Sequence, residues 1–476
     1  MLYIAGEWRP AASGRTFESR NPATGQVIDS VADGGAEDVE AAVAAAAEAF
    51  TGWSQRTAYD RSSYLYQAYH LMLEKREALA KLMTEEQGKP IRMARNEVGY
   101  AADFLLWFAE EAKRNYGETI PSARADQRFI VLRQPVGVVA AITPWNYPIS
   151  MLTRKVGPAL AAGCTIVLKP AEQTPLCAIE TFKILEEAGI PAGVVNLVPT
   201  SRPEEVGPIL VEHPQVRKIT FTGSTEVGKL IAGQAAKHVK RVSMELGGHA
   251  PFIVLDDADP VHAAKGAAAV KFLNTGQACI CPNRLFVQRG IADAFIATLT
   301  ERFAALKAGS GMTDGVTVGP LIDDVALAKM ERQVADAVGK GAKLLTGGER
   351  LMADGLDAGC FYAPTLLTDV TPDMQIYREE TFGPIAPVII YDTDDEVIAM
   401  ANDTDYGLAS YVYTNNLARA FKVFEQLKFG MVGVNDINPT SPAAPFGGVK
   451  QSGLGAEGAR EGMLEYLDTK LVGISI

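Results

Sequence analysis

The chain has 476 residues, 47% of them apolar and 21% charged, which is length for about three domains and apolar content for large cores. Its net charge of −12 is spread along the chain without a Lys or Arg run. That pattern argues against nucleic acid or anionic lipid as a partner and for an ordinary acidic, soluble surface.

No stretch reaches the ~18 consecutive apolar residues of a membrane helix. The start, MLYIAGEWRP, lacks the basic flank and apolar run of a signal peptide. The cysteines (Cys164, Cys177, Cys279, Cys281, Cys360) are odd in number and predict reduced thiols in the cytoplasm. The histidines (His70, His213, His238, His249, His262) never approach metal-ligand spacing, so no catalytic metal is expected.

In chain order, Glu40–Phe50 is Ala-rich and reads as a surface helix, and residues 60–115 carry apolar positions at helical spacing. From Val136 the rhythm changes. Strands are expected at 136–142, 165–169, 194–198, 218–223 and 241–246, with helices at 150–162, 174–190, 204–213 and 224–238. Such alternation predicts a parallel, doubly wound sheet that binds nucleotides beyond its strands' carboxyl ends.

A second α/β block starts near Pro251 with FIVLDD. Its expected strands lie at 285–288, 365–370, 386–392 and 431–436, with a helix over 291–306. GGVKQSGLGAEG (447–458) reads as a Gly-rich loop. The last segment, EYLDTKLVGISI, ends as a strand that must pair with something, another subunit included.

Four places carry candidate chemistry. In KFLNTGQACICPNRLFV (271–287), Cys279 follows a turn whose N–H groups favour a thiolate; alone, such a residue is more often a small buried hydrophobe. In MELGG (244–248), Glu245 ends a strand before two glycines and is either a general base in a crevice or a plain strand-end acid. In ITPWNYP (142–148), Asn146 offers an amide that, with the Cys279 N–H, suits an oxyanion; its other reading is a turn former. FTGSTEVGK (221–229) is a strand, a turn and a helix start, which suits a phosphate. It is neither the dinucleotide G-x-G-x-x-G nor a true P-loop, because Leu230 stands where Ser or Thr must meet magnesium.

Together these features resemble the aldehyde dehydrogenase superfamily. The resemblance runs over nearly the whole chain, through NPATG (21–25), EQGKP (86–90), LKPAEQTP (168–175), EETFGPI (379–385), ANDTDYGLA (401–409) and PFGGVKQSGLG (445–455). It implies a Rossmann-type NAD-binding domain over 1–116 and 136–247 and a second α/β catalytic domain over 248–447. A small β oligomerisation element over 117–135 and 448–476 implies a homodimer or homotetramer.

By the same resemblance Cys279 is the nucleophile, Glu245 the base and Asn146 the oxyanion donor. Lys169 and Glu172 would meet the adenosine ribose. Gly223, Ser224 and Gly228 would meet the pyrophosphate, Glu380 and Phe382 the nicotinamide half, and Thr143, Trp145 and Leu246 the remaining cofactor surface. Glu172 predicts NAD over NADP, because a carboxylate accepts from a ribose 2′-OH and repels a 2′-phosphate.

ISMLTRKVG (149–157) and VSMELGGHAPFIV (242–254) resemble the succinate-semialdehyde dehydrogenase group most. In that group an arginine at Arg154 and a serine at Ser441 bind the substrate carboxylate, and Cys281 is a possible redox partner of Cys279. Without the resemblance, Arg154 reads as a surface residue. Leu273 stands where that group carries a second anion-binding arginine. The expected substrate is therefore an ω-carboxy semialdehyde such as succinate semialdehyde. Glutarate or 2-oxoglutarate semialdehyde, a sulfo- or phosphono-aldehyde, glycolaldehyde and lactaldehyde stay open. A cysteine esterase is the reading from another class and lacks a histidine base; Glu245, as a base for water, argues against transfer of the acyl group to CoA.

Overall fold

The computed structural model describes residues 1–476. Two antiparallel hairpins open the chain: β1 (Leu2–Ile4) with β2 (Glu7–Arg9), and β3 (Thr16–Arg20) with β4 (Val27–Ala32). Four helices follow, α1 (Ala36–Ser54), α2 (Ala58–Glu74), α3 (Arg76–Gln87) and α4 (Ile91–Glu111). The Ala-rich segment expected at the surface lies in α1, yet its Val39, Ala42, Val43 and Ala46 face is buried. The helical stretch expected over 60–115 is three helices. Thr57 caps α2 through the Asp60 N–H, and α3 stops at Gly88, whose φ of +86° suits glycine.

The strands β5 (Glu118–Pro121) and β6 (Gln127–Pro135) form a ribbon. The alternating run is β7 (Val138–Ile142), α5 (Ser150–Ala162), β8 (Thr165–Lys169), α6 (Pro175–Glu187), β9 (Val195–Leu197), α7 (Pro203–Glu212), β10 (Val216–Thr222), α8 (Thr225–Ala236) and β11 (Arg241–Glu245). The second block is β12 (Ala250–Val254), α9 (Pro260–Lys271), β13 (Pro282–Gln288), α10 (Ala292–Ala304), α11 (Asp324–Gly339), β14 (Lys343–Thr346), β15 (Thr365–Thr368), α12 (Gln375–Arg378), β16 (Ile385–Tyr391), α13 (Asp394–Asn402), β17 (Ala409–Tyr413), α14 (Leu417–Gln426) and β18 (Met431–Val434). The chain ends with β19 (Gly453–Leu454), α15 (Ala459–Leu464) and β20 (Leu467–Ser475).

The first sheet has the order β19-β11-β10-β7-β8-β9-β1-β2. Its five central strands are parallel, and antiparallel β1 and β19 flank them. Both faces are covered, which is why β7 reads as an unbroken apolar run: Val139 and Ala141 join one core cluster, Val138, Ala140 and Ile142 another. The second sheet, β14-β15-β16-β13-β12-β17-β18, is parallel except at β14. In the first sheet β8 and β9 extend to one side of β7, while β10 and β11 extend to the other. That reversal opens a crevice beyond the ends of β7 and β10. Only four residues join the end of β11 at Glu245 to the start of β12 at Ala250, so the carboxyl edge of one sheet meets the amino edge of the other.

The stretch 448–476, expected as part of one small element, divides. Gly453–Leu454 extends the first sheet by pairing with Met244–Glu245, whereas β20 pairs along its whole length with β6 in a separate sheet of order β20-β6-β5. The loop expected over 447–458 thus holds a short strand, because its glycines let the backbone approach: a Cβ on Gly453 would stand 2.4 Å from the Met244 carbonyl. The C-terminal strand finds its partner within the chain. No helix is long and apolar enough to cross a membrane.

Candidate active site

The crevice beyond β7 and β10 is a cavity of about 460 Å³ whose wall includes Trp145, Thr222, Ser224, Leu246, Glu380 and Phe382. Ser224 caps α8 by accepting the Val227 N–H at 3.3 Å. A Cβ on Gly228 would stand 2.2 Å from Leu246 Cδ2, so this glycine lets α8 pack against Leu246. Glu380 accepts the Gly248 N–H at 2.8 Å. The Phe382 backbone has φ +55°, and its ring stands nearly perpendicular to Trp145 at 5.5 Å between centroids. Lys169 ends β8 and donates to Glu172 at 3.1 Å. That pair and Thr143, whose N–H donates to the Lys169 carbonyl at 3.2 Å, lie outside the cavity wall.

The donor set fits a dinucleotide. Thr222 Oγ1 is buried without a partner, Ser224 at the N-cap of α8 lines the cavity, and the Glu380 carboxylate and the Trp145 and Phe382 rings share its wall. These observations, rather than a glycine fingerprint, make the site.

Cys279 is reached from α9 through a distorted turn. Asn274 and Thr275 have φ +48° and +59°; for β-branched Thr275 this costs roughly 1–3 kcal/mol. The turn is held from outside: Thr275 Oγ1 accepts the Gly319 N–H at 2.9 Å. Gly276 (φ +80°) has the Gly383 carbonyl 2.2 Å from where its Cβ would be. Asn146 Nδ2 donates to the Gln277 carbonyl at 3.0 Å, leaving one amide hydrogen, and the Cys279 N–H donates to no group of the chain.

Burial raises the Cys279 thiol above its ordinary value, nearby Glu380 and Glu245 add to this, and Arg154 opposes it. Glu245 is buried with both carboxylate oxygens unpartnered. Burial and then Glu457 push it well above the usual carboxylate range, against Arg154 and Lys155. It lines neither this cavity nor the one on the other side of Cys279.

A second cavity of about 310 Å³ lies on another side of Cys279, lined by Tyr100, Arg154, Leu273, Asn438, Thr440 and Phe446 among others. Arg154 is 1% exposed, not a surface residue. Its Nε lies 3.0 Å from Glu457 Oε2, its guanidinium carbon lies 3.9 Å from the Phe446 ring centroid, and Nη2 has no partner. Ser441 is exposed, accepts the Ala443 N–H at 3.2 Å and is absent from the wall, to which the same loop contributes its neighbour Thr440 and Asn438.

Cys281 turns away from this site. Its thiol donates to the Val270 carbonyl at 3.2 Å, burial pushes it up to about 11, and all five cysteines are free. Sequence reasoning missed Lys155 and Glu457, which pair at 2.5 Å. The available signal was a charged dipeptide, Arg154-Lys155, inside a helix buried on every side.

Residues 8–472 match the Aldehyde dehydrogenase family. The chain is 52% identical to a 3-sulfolactaldehyde dehydrogenase of Pseudomonas putida, covering 99% of this chain and 96% of that one. It is 51% identical to a glutarate-semialdehyde dehydrogenase of Pseudomonas aeruginosa (98% and 96% covered). It is 49% identical to a succinate-semialdehyde dehydrogenase [NADP(+)] of Escherichia coli (99% and 97%). A crystal structure described as an E. coli NADP dependent enzyme superposes with a TM-score of 0.98 at 49% identity, covering 100% of this chain and 98% of that one. With two α/β sheets meeting at a cysteine between two cavities, and a match over nearly its full length, the chain belongs to the aldehyde dehydrogenase family of NAD(P)-dependent oxidoreductases.

Proposed function

We propose that the protein oxidises a small ω-carboxy semialdehyde, such as succinate semialdehyde, to the acid with NAD. The observation that carries this reading is that Cys279 borders both cavities, one suited to a dinucleotide and one holding a buried guanidinium. The Cys279 thiol releases its proton to solvent, its sulfur adds to the aldehyde carbon, and the oxyanion faces the free hydrogen of Asn146 Nδ2 and the Cys279 N–H. A bound nicotinamide would accept the hydride that leaves this carbon. The thioester then remains on Cys279. Glu245, held at high proton affinity by burial, takes a proton from water, and hydrolysis frees the acid and the thiol.

Thr222, Ser224 and the start of α8 would hold the pyrophosphate. Glu380 and Phe382 would hold the nicotinamide half, and Lys169 with Glu172 the adenosine ribose. Glu172 supports NAD, although one relative is named for NADP(+). Arg154 is the one cationic side chain lining the second cavity, with an unpartnered Nη2 to offer a substrate carboxylate. Leu273 adds an apolar side chain to the same wall. The sulfonate and glutarate names among the relatives keep those anionic chains in the substrate class. The sheet of β5, β6 and β20, with Leu132, Leu471 and Ile474 exposed, would join subunits of a homodimer or homotetramer. The free thiols suit a reducing cytoplasm, and any pairing of Cys281 with Cys279 requires Cys281 to leave its carbonyl partner.

The test compares kcat/KM for succinate, glutarate and sulfonate-bearing aldehydes with that for neutral aldehydes of the same length, in wild type and Arg154→Ala. At a pH above the acid limb of both enzymes, loss of a charge-assisted contact should cost the acidic substrates about ten- to a hundredfold, mainly in KM, and spare the neutral ones. Equal losses for both groups argue against the clamp.

A further inference from the structure

The EQGKP turn (86–90) between α3 and α4 is absent from the chemistry above, yet it is almost wholly buried. Lys89 is 1% exposed and its ammonium has three partners. It pairs with Glu97, donates to the Asn146 carbonyl at 2.9 Å and lies 3.6 Å from the Tyr147 ring centroid. The same carbonyl accepts a second bond, from Asn274 Nδ2 at 3.0 Å, out of the distorted turn before Cys279. Glu97, for its part, accepts the N–H groups of Ile149 and Ser150 at 3.1 and 3.2 Å, where α5 begins.

Burying an ammonium is costly, and burial lowers the proton affinity of Lys89, which Glu97 offsets only in part. A buried cation aimed at one peptide carbonyl fixes that peptide plane, and with it the direction in which the Asn146 side chain leaves the backbone. We propose that Lys89, acting with Asn274, is a positioning residue for the oxyanion donor: the two hold the Asn146 peptide so that its side-chain amide points at the reacting carbonyl. This rests on the reading that Asn146 holds the oxyanion. A misplacement of about 1 Å at such a donor costs about 10²-fold in rate.

The experiment is a double-mutant cycle on the full enzyme with NAD and succinate semialdehyde, using Lys89→Met, Asn146→Ala and the double variant. Lys89→Met should lower kcat on the order of 10²-fold and leave both KM values within about twofold. In the Asn146→Ala background it should change kcat by less than about threefold, because the donor it positions is gone. An equal fold loss in both backgrounds, or a loss confined to KM, overturns the proposal. Should Asn146→Ala itself leave kcat unchanged, the oxyanion reading fails first, and that outcome is distinct. If Lys89→Met does not fold, Asn274→Ala removes the second donor to the same carbonyl and must show the same kcat-only, non-additive loss.

Discussion

The two cavities that meet at Cys279 are built from different materials. The larger one sets backbone and small residues at the ends of β10 and β11, Gly223, Ser224 and Gly247, against side chains of α11 and of the Glu380–Phe382 loop. The smaller one is made of side chains from α4, α5, the 273–280 turn and the 438–446 loop, held by buried charge pairs. A backbone cradle recognises a phosphate chain common to many substrates of a fold, whereas a side-chain pocket can change with single substitutions. Cofactor use should therefore be robust to mutation and substrate choice labile.

The largest expected effect tests where the two cavities join. Asn146→Ala should lower kcat by ~10²–10³ with cofactor affinity retained; cofactor binding by fluorescence titration and steady-state kcat report the two separately. A parallel collapse of both would mean that Asn146 supports the fold rather than the oxyanion.

A smaller effect is a shift in pH dependence. The Cys279 thiol and the Glu245 carboxyl both lie above their ordinary values. Each must be free of its proton to act, so activity should rise with pH on its acid side. Arg154 is the largest group opposing the thiol shift. Arg154→Ala should move the acid limb of kcat/KM for a neutral aldehyde to higher pH, and an unmoved limb counts against the coupling. The smallest effect concerns the cradle itself. Glu172→Ser should raise kcat/KM with NADP relative to NAD several-fold, while an unchanged ratio would remove the argument for NAD.

The same division explains what was legible in the sequence. The β7–β11 run was readable because fully buried parallel strands are apolar throughout, and boundaries differed by one or two residues, as at 216–222 against the expected 218–223. Short elements were missed: the three-residue strands β1 and β2, and β17, a buried parallel strand whose run is interrupted by Ser410 and lies directly after the turn DYGL. Cys279, Glu245 and Asn146 stood out because each follows or sits in a turn at a strand or helix end. Arg154 showed no such mark on its own residues. Its burial depends on Glu457, some three hundred positions later, a pairing only the fold reveals. Ser441 fell one residue off the wall because loop 435–446 has no periodicity to fix which side chains face inward.

The most direct measurement is peptide mass spectrometry of Glu245→Gln quenched after mixing with NAD and succinate semialdehyde. With nucleophile and oxyanion donor intact and the hydrolytic base gone, one equivalent of NADH should form in a burst, and one acyl group should be found on the Cys279 peptide. An acyl group on any other residue, or none while NADH accumulates beyond one equivalent, would contradict the account.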